Sequence, residues 1–399
     1  MYRLTIRRVI ALLALMSLLA FAVAGCQTQT VQTGGEEQAA EKSPYKIGAV
    51  ISLTGTYAGL GGPEKNVIDM EVKRINDAGG VNGHPIEVIV EDDGTEEAKA
   101  VAAASRLIEK EKVLALIGAT GTGQTMAMRG EVDKAGVPQV SMAGGTVITG
   151  QFDPLVFATP WSNTIVVPFT LKALQEQGFK KIAVISDSGG FGKDGVEVIK
   201  ANVAKFGQTI VSEQTFNPGD TDMSSQLTKI KNSGADVILL WSAGKEASVV
   251  AKNRTQLKIA TPLVGSHGNA RKEFIAGSAE AGEGFRFAAG KILIPDTYGQ
   301  GTEEYKVATE FVDRYTKQFK DAPSTFAGHA YDALYLIVEA MKRLPEGFDS
   351  KQLRDEIEKT KGFVGIGGTF NFSNKDHNGL SESDIVMYEV KNGDWVLVK

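Results

Sequence analysis

A glycine-rich loop at residues 118–125, with the sequence GATGTGQT, has the clearest capacity to bind a ligand. It follows a predicted strand at residues 113–117 and begins a predicted helix. Backbone N–H groups at the start of a helix, together with the positive end of the helix dipole, bind anions. The loop lacks the Lys-Ser/Thr ending of an ATP-binding loop and has no lysine nearby, which makes ATP an improbable ligand. Tight strand–helix packing is the alternative role of these glycines.

The other reactive side chains form no recognisable catalytic or metal-binding pattern. The histidines are far apart in sequence and lack metal-ligand spacing: His84, His267, His329 and His377. No Gly-x-Ser-x-Gly motif surrounds the serines that end predicted strands: Ser52, Ser141 and Ser186. The acidic triplet at residues 91–93 precedes a predicted helix, where carboxylates commonly act as caps. We therefore predict no enzymatic activity, no cofactor and no metal site.

The amino-terminal segment is typical of an export signal. Basic residues at positions 3, 7 and 8 precede an apolar run at 9–24, which is short for a membrane span. The run ends in Val-Ala-Gly-Cys, which resembles the bacterial lipobox and implies cleavage before Cys26, the chain's only cysteine, and lipidation of its thiol. Residues 1–25 are thus a predicted signal peptide. Residues 26–44 are polar and predict a flexible tether. The protein is expected to be exported and membrane-anchored, facing the periplasm or the cell exterior.

Charge and length limit the partners and the domain organisation. The chain has 43 basic and 48 acidic residues, and the predicted signal peptide contains three of the arginines and no acid. The mature chain would be acidic, and no stretch is basic enough to follow a nucleic acid backbone. The region beyond residue 44 exceeds the size at which one core commonly divides, so two domains are expected.

Apolar segments of strand length alternate with segments of helical period in two successive series. This pattern predicts an α/β fold with two doubly wound parallel-sheet lobes. The first series of predicted strands lies at 47–52, 86–91, 113–117 and 139–141, and the second at 181–186, 209–214, 237–241 and 262–265. A closing hairpin is predicted at 384–390 and 395–398, with its turn at Asn392-Gly393.

Several segments in order resemble the branched-chain amino acid-binding family of ABC-transporter receptors, the type I periplasmic binding proteins. They are IGAVISLTGTYAGLGG, INDAGGVNGHPIEVIVEDDGTEEAKAVAAASRLI, ALIGATGTGQT, AGVPQVSMAGG, FNPGDTDMSSQLTKIKNSGADVILLW and TFAGHAYDALYLI. The resemblance covers almost everything from residue 45 onward. It implies two lobes joined by three crossover segments that close on a small ligand. Lobe 1 would comprise residues 45–160 plus 293–364, and lobe 2 residues 161–290 plus 367–399.

The resemblance also implies a ligand-binding cleft between the lobes. Thr122, with Gly121, would bind the ligand carboxylate. A second contact would come from a turn whose register is uncertain by one residue: Ala143, Gly144, Gly145 and Thr146. Apolar and aromatic walls would be formed by Tyr57, Leu60, Trp161, Phe191, Trp241 and Phe326, although core packing explains each of these side chains equally well.

The sequence departs from the family where amino acid binders hold the ligand ammonium group. His267 occupies the position of a glutamate, and Asn163 that of a second acid. A desolvated ammonium needs a negative partner or several carbonyls, which a neutral histidine does not supply. We therefore expect a carboxylate without an α-ammonium group, such as an aromatic, oxo or hydroxy acid, with His267 donating to a ligand oxygen. The alternative is that Asp187 or Glu246 receives the ammonium.

The resemblance leads to a functional hypothesis without catalysis. The expected protein is a monomeric, lipid-anchored receptor that closes on a small apolar or aromatic carboxylate, or on an amino acid, and delivers it to an ABC permease. A sensor of the same fold, reporting its ligand to a signalling partner, is the alternative.

Overall fold

The computed structural model describes residues 42–398, which form an α/β structure with two main sheets. The predicted signal peptide, Cys26 and most of the predicted tether lie outside the described residues. In the part of the chain that is described, no helix is long and apolar enough to cross a membrane.

The sheet of lobe 1 is entirely parallel, with the strand order β2-β1-β3-β4-β5. Its central strands β1 and β3 are almost fully buried because helices cover both faces, which explains their continuous apolar sequences. The strands are β1 (Tyr45–Ile51), β2 (Ile86–Asp92), β3 (Ala115–Gly118), β4 (Gln139–Ser141) and β5 (Val156–Ala158).

Helices from two separate parts of the chain cover this sheet. Those that follow its strands are α1 (Ala58–Asp77), α2 (Glu97–Glu109), α3 (Thr122–Ala135) and the single turn α4 (Val147–Gly150). Three more come from far along the chain: α10 (Glu303–Phe319), α11 (Thr325–Lys342) and α12 (Ser350–Glu358). Helix α11 is buried on nearly every side and packs in the same apolar core as β1 and α1.

The sheet of lobe 2 has the strand order β14-β13-β10-β9-β8-β6-β7. Its neighbouring strands are parallel, except that β13 is antiparallel to both β10 and β14. Its strands are β6 (Lys181–Asp187), β7 (Thr209–Phe216), β8 (Val237–Trp241), β9 (Leu263–Gly265), β10 (Arg286–Gly290), β13 (Ile385–Lys391) and β14 (Asp394–Leu397). The accompanying helices are α5 (Asn163–Glu176), α6 (Gly190–Asn202), α7 (Ser224–Lys231), α8 (Glu246–Gln256) and α9 (Lys272–Ser278). A separate two-stranded sheet pairs β11 (Phe363–Val364) with β12 (Thr369–Phe370).

The predicted α/β class, the parallel lobes and the closing hairpin are confirmed. Lys391 pairs with Asp394, and the two residues between them, Asn392 and Gly393, have positive φ, as a tight hairpin turn requires. Strands β5 and β10 are not among the predicted strands. The first is only three residues long and the second is rich in alanine and glycine, so neither has a strong strand pattern.

Trp161 lies where the chain passes between the sheets. Its indole Nε1 donates to the carbonyl of Gly367 at 3.0 Å, and its ring fills the space that a side chain at Gly290 would need. These residues follow β5, end β10 and lie between β11 and β12. One side chain therefore holds three distant chain segments together at the junction of the lobes.

Candidate functional site

Loops from both lobes surround one cleft, which lies beyond the carboxyl ends of their strands, where open α/β sheets bind ligands. Lobe 1 contributes Tyr57, Leu60, Thr120, Gly121, Thr122, Met142, Ala143, Gly144, Pro160, Phe326 and His329. Lobe 2 contributes Phe191, Ala243, His267 and Gly268. The empty space among these residues, about 350 Å³, includes open solvent and is therefore an upper limit on the volume of a bound ligand.

The start of helix α3 forms the polar end of the cleft. Gly121 precedes the helix in an extended conformation and provides no side-chain cap for the helix N–H groups. The Thr122 hydroxyl is buried and has no hydrogen-bond partner among residues 42–398. A side chain at Gly145 would overlap Thr122, so this glycine lets the 143–145 turn pack against the helix start. Free amides, a free hydroxyl and the helix dipole together suit a carboxylate.

The opposite walls are apolar and aromatic. Phe191, at the beginning of α6, meets the ring of His267 edge to face, with centroids 5.2 Å apart and an interplanar angle of 78°. Phe326, at the beginning of α11, meets His329 in the same way at 5.9 Å and 88°. Tyr57 and Leu60 flank the glycine-rich turn after β1 and are buried in the same apolar cluster.

Both cleft histidines are neutral. Burial lowers the pKa of His267 to about 3. Burial, with a smaller contribution from His267, lowers the pKa of His329 to about 3 as well. Each imidazole therefore offers one N–H donor and one acceptor nitrogen to its surroundings.

No charged side chain is among the described residues that line the cleft. Asp187 lies behind the lining, where one carboxylate oxygen accepts the N–H of Gly189 at 2.8 Å. Burial raises the pKa of Asp187 to about 6. Glu246 accepts the N–H of Gly219 at 2.7 Å. Glu246 and one oxygen of Asp187 are thus bonded to other parts of lobe 2, whereas the second oxygen of Asp187 has no partner among residues 42–398.

Arg271 positions the wall contributed by lobe 2. Its guanidinium is buried and donates to the carbonyls of Ala243, Gly244 and Gly268, the last two at 2.8 Å and 3.1 Å. Burial lowers its pKa to about 10, a value at which it remains charged at neutral pH. The guanidinium joins the loop after β8 to the turn after β9, and these two loops carry Ala243, His267 and Gly268 of the lobe 2 lining.

Nine of the fourteen predicted ligand-binding residues line the cleft and five do not. Gly145 packs behind Thr122, and Trp161 lies at the lobe junction. Thr146, Asn163 and Trp241 instead belong to a buried polar network. The indole Nε1 of Trp241 donates to Asn163 Oδ1 at 3.1 Å, and Asn163 Nδ2 donates to Asp194 Oδ2 at 2.7 Å. With its amide groups satisfied in this way, Asn163 presents no free polar atom to a ligand.

Other lining residues are absent from the prediction. The sequence indicates a cleft position for some of them and gives no signal for the rest. Thr120 could have been found, because it belongs to the glycine-rich loop. The spacing of His329, one helical turn after Phe326, is equally consistent with the edge of the cleft and with the core, and the structure places it in the lining. Met142, Pro160, Ala243 and Gly268 carry no chemical signal, and only their position at strand ends brings them to the cleft.

The model of a family described as periplasmic binding protein matches residues 44–394, nearly all of the described chain. The chain belongs to the periplasmic binding protein family. A Leu/Ile/Val-binding protein homolog 3 of Brucella melitensis is 25% identical over 333 residues, covering 82% of this chain and 86% of the relative. A leucine-, isoleucine-, valine-, threonine- and alanine-binding protein of Pseudomonas aeruginosa is 23% identical over 346 residues, covering 86% and 89%.

Solved structures agree with this assignment. An extracellular ligand-binding receptor from Rhodopseudomonas palustris HaA2 has a TM-score of 0.84 and 25% identity, covering 90% of this chain and 100% of the other. The substrate-binding protein LivJ of the Streptococcus pneumoniae branched-chain amino acid transporter, solved with isoleucine, has a TM-score of 0.78 and 28% identity, covering 88% and 97%. The predicted type I fold and membership of the branched-chain amino acid family are therefore confirmed, and a role in substrate binding by an exported protein is supported.

Proposed function

We propose that this member of the family is the lipid-anchored receptor of an ABC importer and captures a small apolar or aromatic carboxylate that lacks an α-ammonium group. The observation that carries this proposal is a cleft with a free helix start at one end and no acidic side chain in its described lining. A carboxylate is satisfied by the amides and hydroxyl at Thr122. An ammonium group would lose its hydration without gaining a negative partner.

Binding would proceed by closure of the lobes. The carboxylate first meets the start of α3 in lobe 1. Phe191 and His267 then approach from lobe 2. Because the closed form makes contacts that the open form lacks, the ligand shifts the equilibrium toward closure, and a permease would recognise the closed pair of lobes. The lobe boundaries proposed for this motion are 45–160 plus 293–364 and 161–290 plus 367–399.

A second candidate is a hydrophobic amino acid, as the names of the Brucella and Pseudomonas relatives indicate for those proteins. Asp187 favours it, because one of its carboxylate oxygens is buried without a partner among residues 42–398 and could turn toward the cleft.

A sensor role with the same ligand is a further alternative. Permease and ATPase genes beside this gene support transport, whereas a neighbouring kinase or regulator gene supports sensing.

Calorimetry with matched ligands tests the choice. Leucine and 4-methylpentanoate share a skeleton and differ by the ammonium group, as do phenylalanine and 3-phenylpropanoate. The proposal predicts that each acid without the ammonium binds more tightly than its amino acid. A hundredfold excess of ligand over its Kd would also stabilise the protein by about 2.7 kcal/mol in thermal unfolding. Tighter binding of leucine or phenylalanine would refute the proposal and support Asp187 as the ammonium partner.

The proposed anchor and oligomeric state need separate experiments. Metabolic labelling with palmitate should mark the wild-type protein, and Cys26→Ser should abolish both the label and membrane association. Light scattering after gel filtration should give the mass of a monomer. Persistent membrane association of the Cys26→Ser variant would contradict lipid anchoring without affecting the ligand proposal.

A further inference from the structure

Two imidazoles from opposite lobes face the same cleft. His267 lies in the turn after β9 of lobe 2, and His329 lies in helix α11 of lobe 1. Their side chains are buried, with 5% and 2% of the residue surface exposed. Because they belong to different lobes, lobe closure determines whether both can contact one ligand.

These imidazoles have unsatisfied nitrogens. Neither Nδ1 nor Nε2 of His267 has a hydrogen-bond partner in the described chain, and Nδ1 of His329 also lacks one. The other two histidines differ, since His84 bonds to Ser43 and Glu346, and His377 bonds to Val156 and Glu358. Buried polar groups without partners are rare and costly, so three such nitrogens around one cavity indicate a ligand group that bonds to them.

Packing holds the rings in place without occupying these nitrogens. Phe191 and Trp241 lie edge to face with His267, and Phe326 and Trp161 do the same with His329. Aromatic neighbours fix the position of an imidazole but supply no strong acceptor or donor for it in these contacts.

The position of His267 shows which part of the ligand it would meet. A Cβ atom at Gly144 would lie 2.5 Å from His267 Nε2, so this nitrogen faces the backbone of the 143–145 turn. The adjacent Gly145 packs directly on Thr122 at the anion-binding helix start. The imidazole is therefore close to the carboxylate end of the cleft, and a group that it binds would be attached near the carboxylate.

We propose that His267 and His329 form a two-imidazole site for an oxygen on the carbon next to the ligand carboxylate, which makes 2-hydroxy or 2-oxo acids the preferred ligands. Neutral imidazole N–H groups donate to either oxygen, and an acceptor nitrogen can bind a hydroxyl proton. The inference rests on the proposed carboxylate function and adds the identity of the neighbouring group. It makes no use of a charged partner, in keeping with the uncharged lining of the cleft.

Matched ligands on the wild-type protein test the proposal directly. Calorimetry would compare 4-methylpentanoate, 2-hydroxy-4-methylpentanoate, 2-oxo-4-methylpentanoate and leucine, and then the same four types on a 3-phenylpropanoate skeleton. We expect at least one oxygenated acid to bind ten to a hundred times more tightly than its unsubstituted parent, because the parent leaves buried nitrogens unpaired. Equal binding of parent and oxygenated acids in both series overturns the two-imidazole site but leaves the carboxylate function standing. If the amino acids bind most tightly, the proposed function as a receptor for carboxylates without an ammonium group is wrong. If no compound of either series binds, the proposed class of small apolar or aromatic carboxylates is wrong.

Variants assign the effect to the two side chains. His329→Leu and His267→Leu should each reduce the preference for the oxygenated acid at least tenfold while retaining binding of the parent acid. His329→Gln, which keeps one donor and one acceptor, should retain part of the preference. His84→Leu, which replaces a buried histidine outside the cleft, is the matched control and should leave the preference unchanged. An unchanged preference in both cleft variants overturns the assignment, and the wild-type ligand series decides the proposal if a variant does not fold.

Discussion

Asp194 of lobe 2 accepts the backbone N–H of Thr146 of lobe 1 at 2.7 Å, although 48 positions separate the two residues. The same carboxylate accepts the N–H of Val147 at 3.2 Å and the Asn163 amide at 2.7 Å. Asp194 lies on α6, the helix that also carries Phe191, and Thr146 ends the turn at residues 143–146 that the family resemblance predicts as a second contact of the carboxylate. The carboxylate of Asp194 therefore links the helix that carries the aromatic Phe191 to this turn of lobe 1.

The Asp194 contact should contribute to closure and hence to affinity. Asp194→Ala removes the acceptor for two backbone N–H groups and should weaken ligand binding about tenfold, equivalent to about 1.4 kcal/mol lost from the closed form. Calorimetry measures the affinity, and small-angle scattering with saturating ligand measures the closed population. Glu197→Ala on the same helix is the matched control, because Glu197 is exposed and its ion pair is with Lys200. Equal losses in both variants would mean that Asp194 has no role in closure.

Gly144 should be needed for the correct placement of His267. Gly144→Ala would put a methyl group 2.5 Å from His267 Nε2 and 3.1 Å from the Trp161 carbonyl, so the lobes could not close fully. We expect a loss of affinity of tenfold or more with little change in the stability of the ligand-free protein. Gly130→Ala, in the middle of α3 where a new methyl group has no neighbour within 4 Å, should bind normally and gain about 0.4–1 kcal/mol of stability. Normal affinity in Gly144→Ala would contradict this account of the cleft.

Acid should destabilise the native protein through the two cleft histidines. The pKa of each is lowered from 6.5 in the unfolded chain to about 3 in the fold, so below pH 6.5 the unfolded state binds protons that the native state does not. The contribution of each histidine to the free energy of unfolding therefore falls progressively between pH 6.5 and about 3. At pH 5 the loss should reach about 2 kcal/mol for each histidine.

Urea unfolding of the wild type and of His329→Leu at pH 7.5 and pH 5 isolates this contribution. The wild type should lose about 2 kcal/mol more than the variant between the two pH values, since acids that titrate in the same range are common to both proteins. His84→Leu provides the control for losing a histidine elsewhere. Parallel stability changes in wild type and His329→Leu would show that His329 is not held neutral by the fold.

Asp332 should stabilise the lobe junction. Its buried carboxylate accepts the N–H groups of Ile366 and Gly367 at 2.6 Å and 2.7 Å, and Gly367 in turn accepts from Trp161. Asp332→Ala leaves two buried N–H groups without acceptors and should cost about 3 kcal/mol of unfolding free energy in urea titrations. Asp349→Ala, which removes the exposed cap of α12, should cost about 1 kcal/mol. If the two losses are equal, the junction does not depend on Asp332.

Local sequence patterns predicted the elements because they depend on neighbours in the chain. The continuous apolar strands β1 and β3, the uncapped helix start at Gly121-Thr122 and the tight turn at Asn392-Gly393 all follow from backbone and side-chain preferences within a few residues. The nine predicted residues that line the cleft could be predicted for the same reason, because they lie at strand ends or helix starts of the family pattern.

That a residue is aromatic does not show whether its side chain faces the ligand cleft or the core. Trp161 and Trp241 are large and buried, and the sequence is equally consistent with a ligand wall and with a core. Tertiary structure decides the matter through their indole N–H groups, which bond to Gly367 and Asn163 in other parts of the chain. A buried indole N–H needs a partner, and that partner is chosen by packing.

The sequence by itself determined the α/β class and the two lobes, and it led to the proposals of an anion site at the start of α3 and of His267 in the place of an acid. Only the tertiary structure brought His329 beside His267 in one uncharged cleft and joined Asp194 to Thr146 across the lobes. The physical reason is that strands and helices arise from short-range periodicity and capping. Contacts between side chains far apart in sequence depend on how completed elements pack, and no single segment of the chain contains that information.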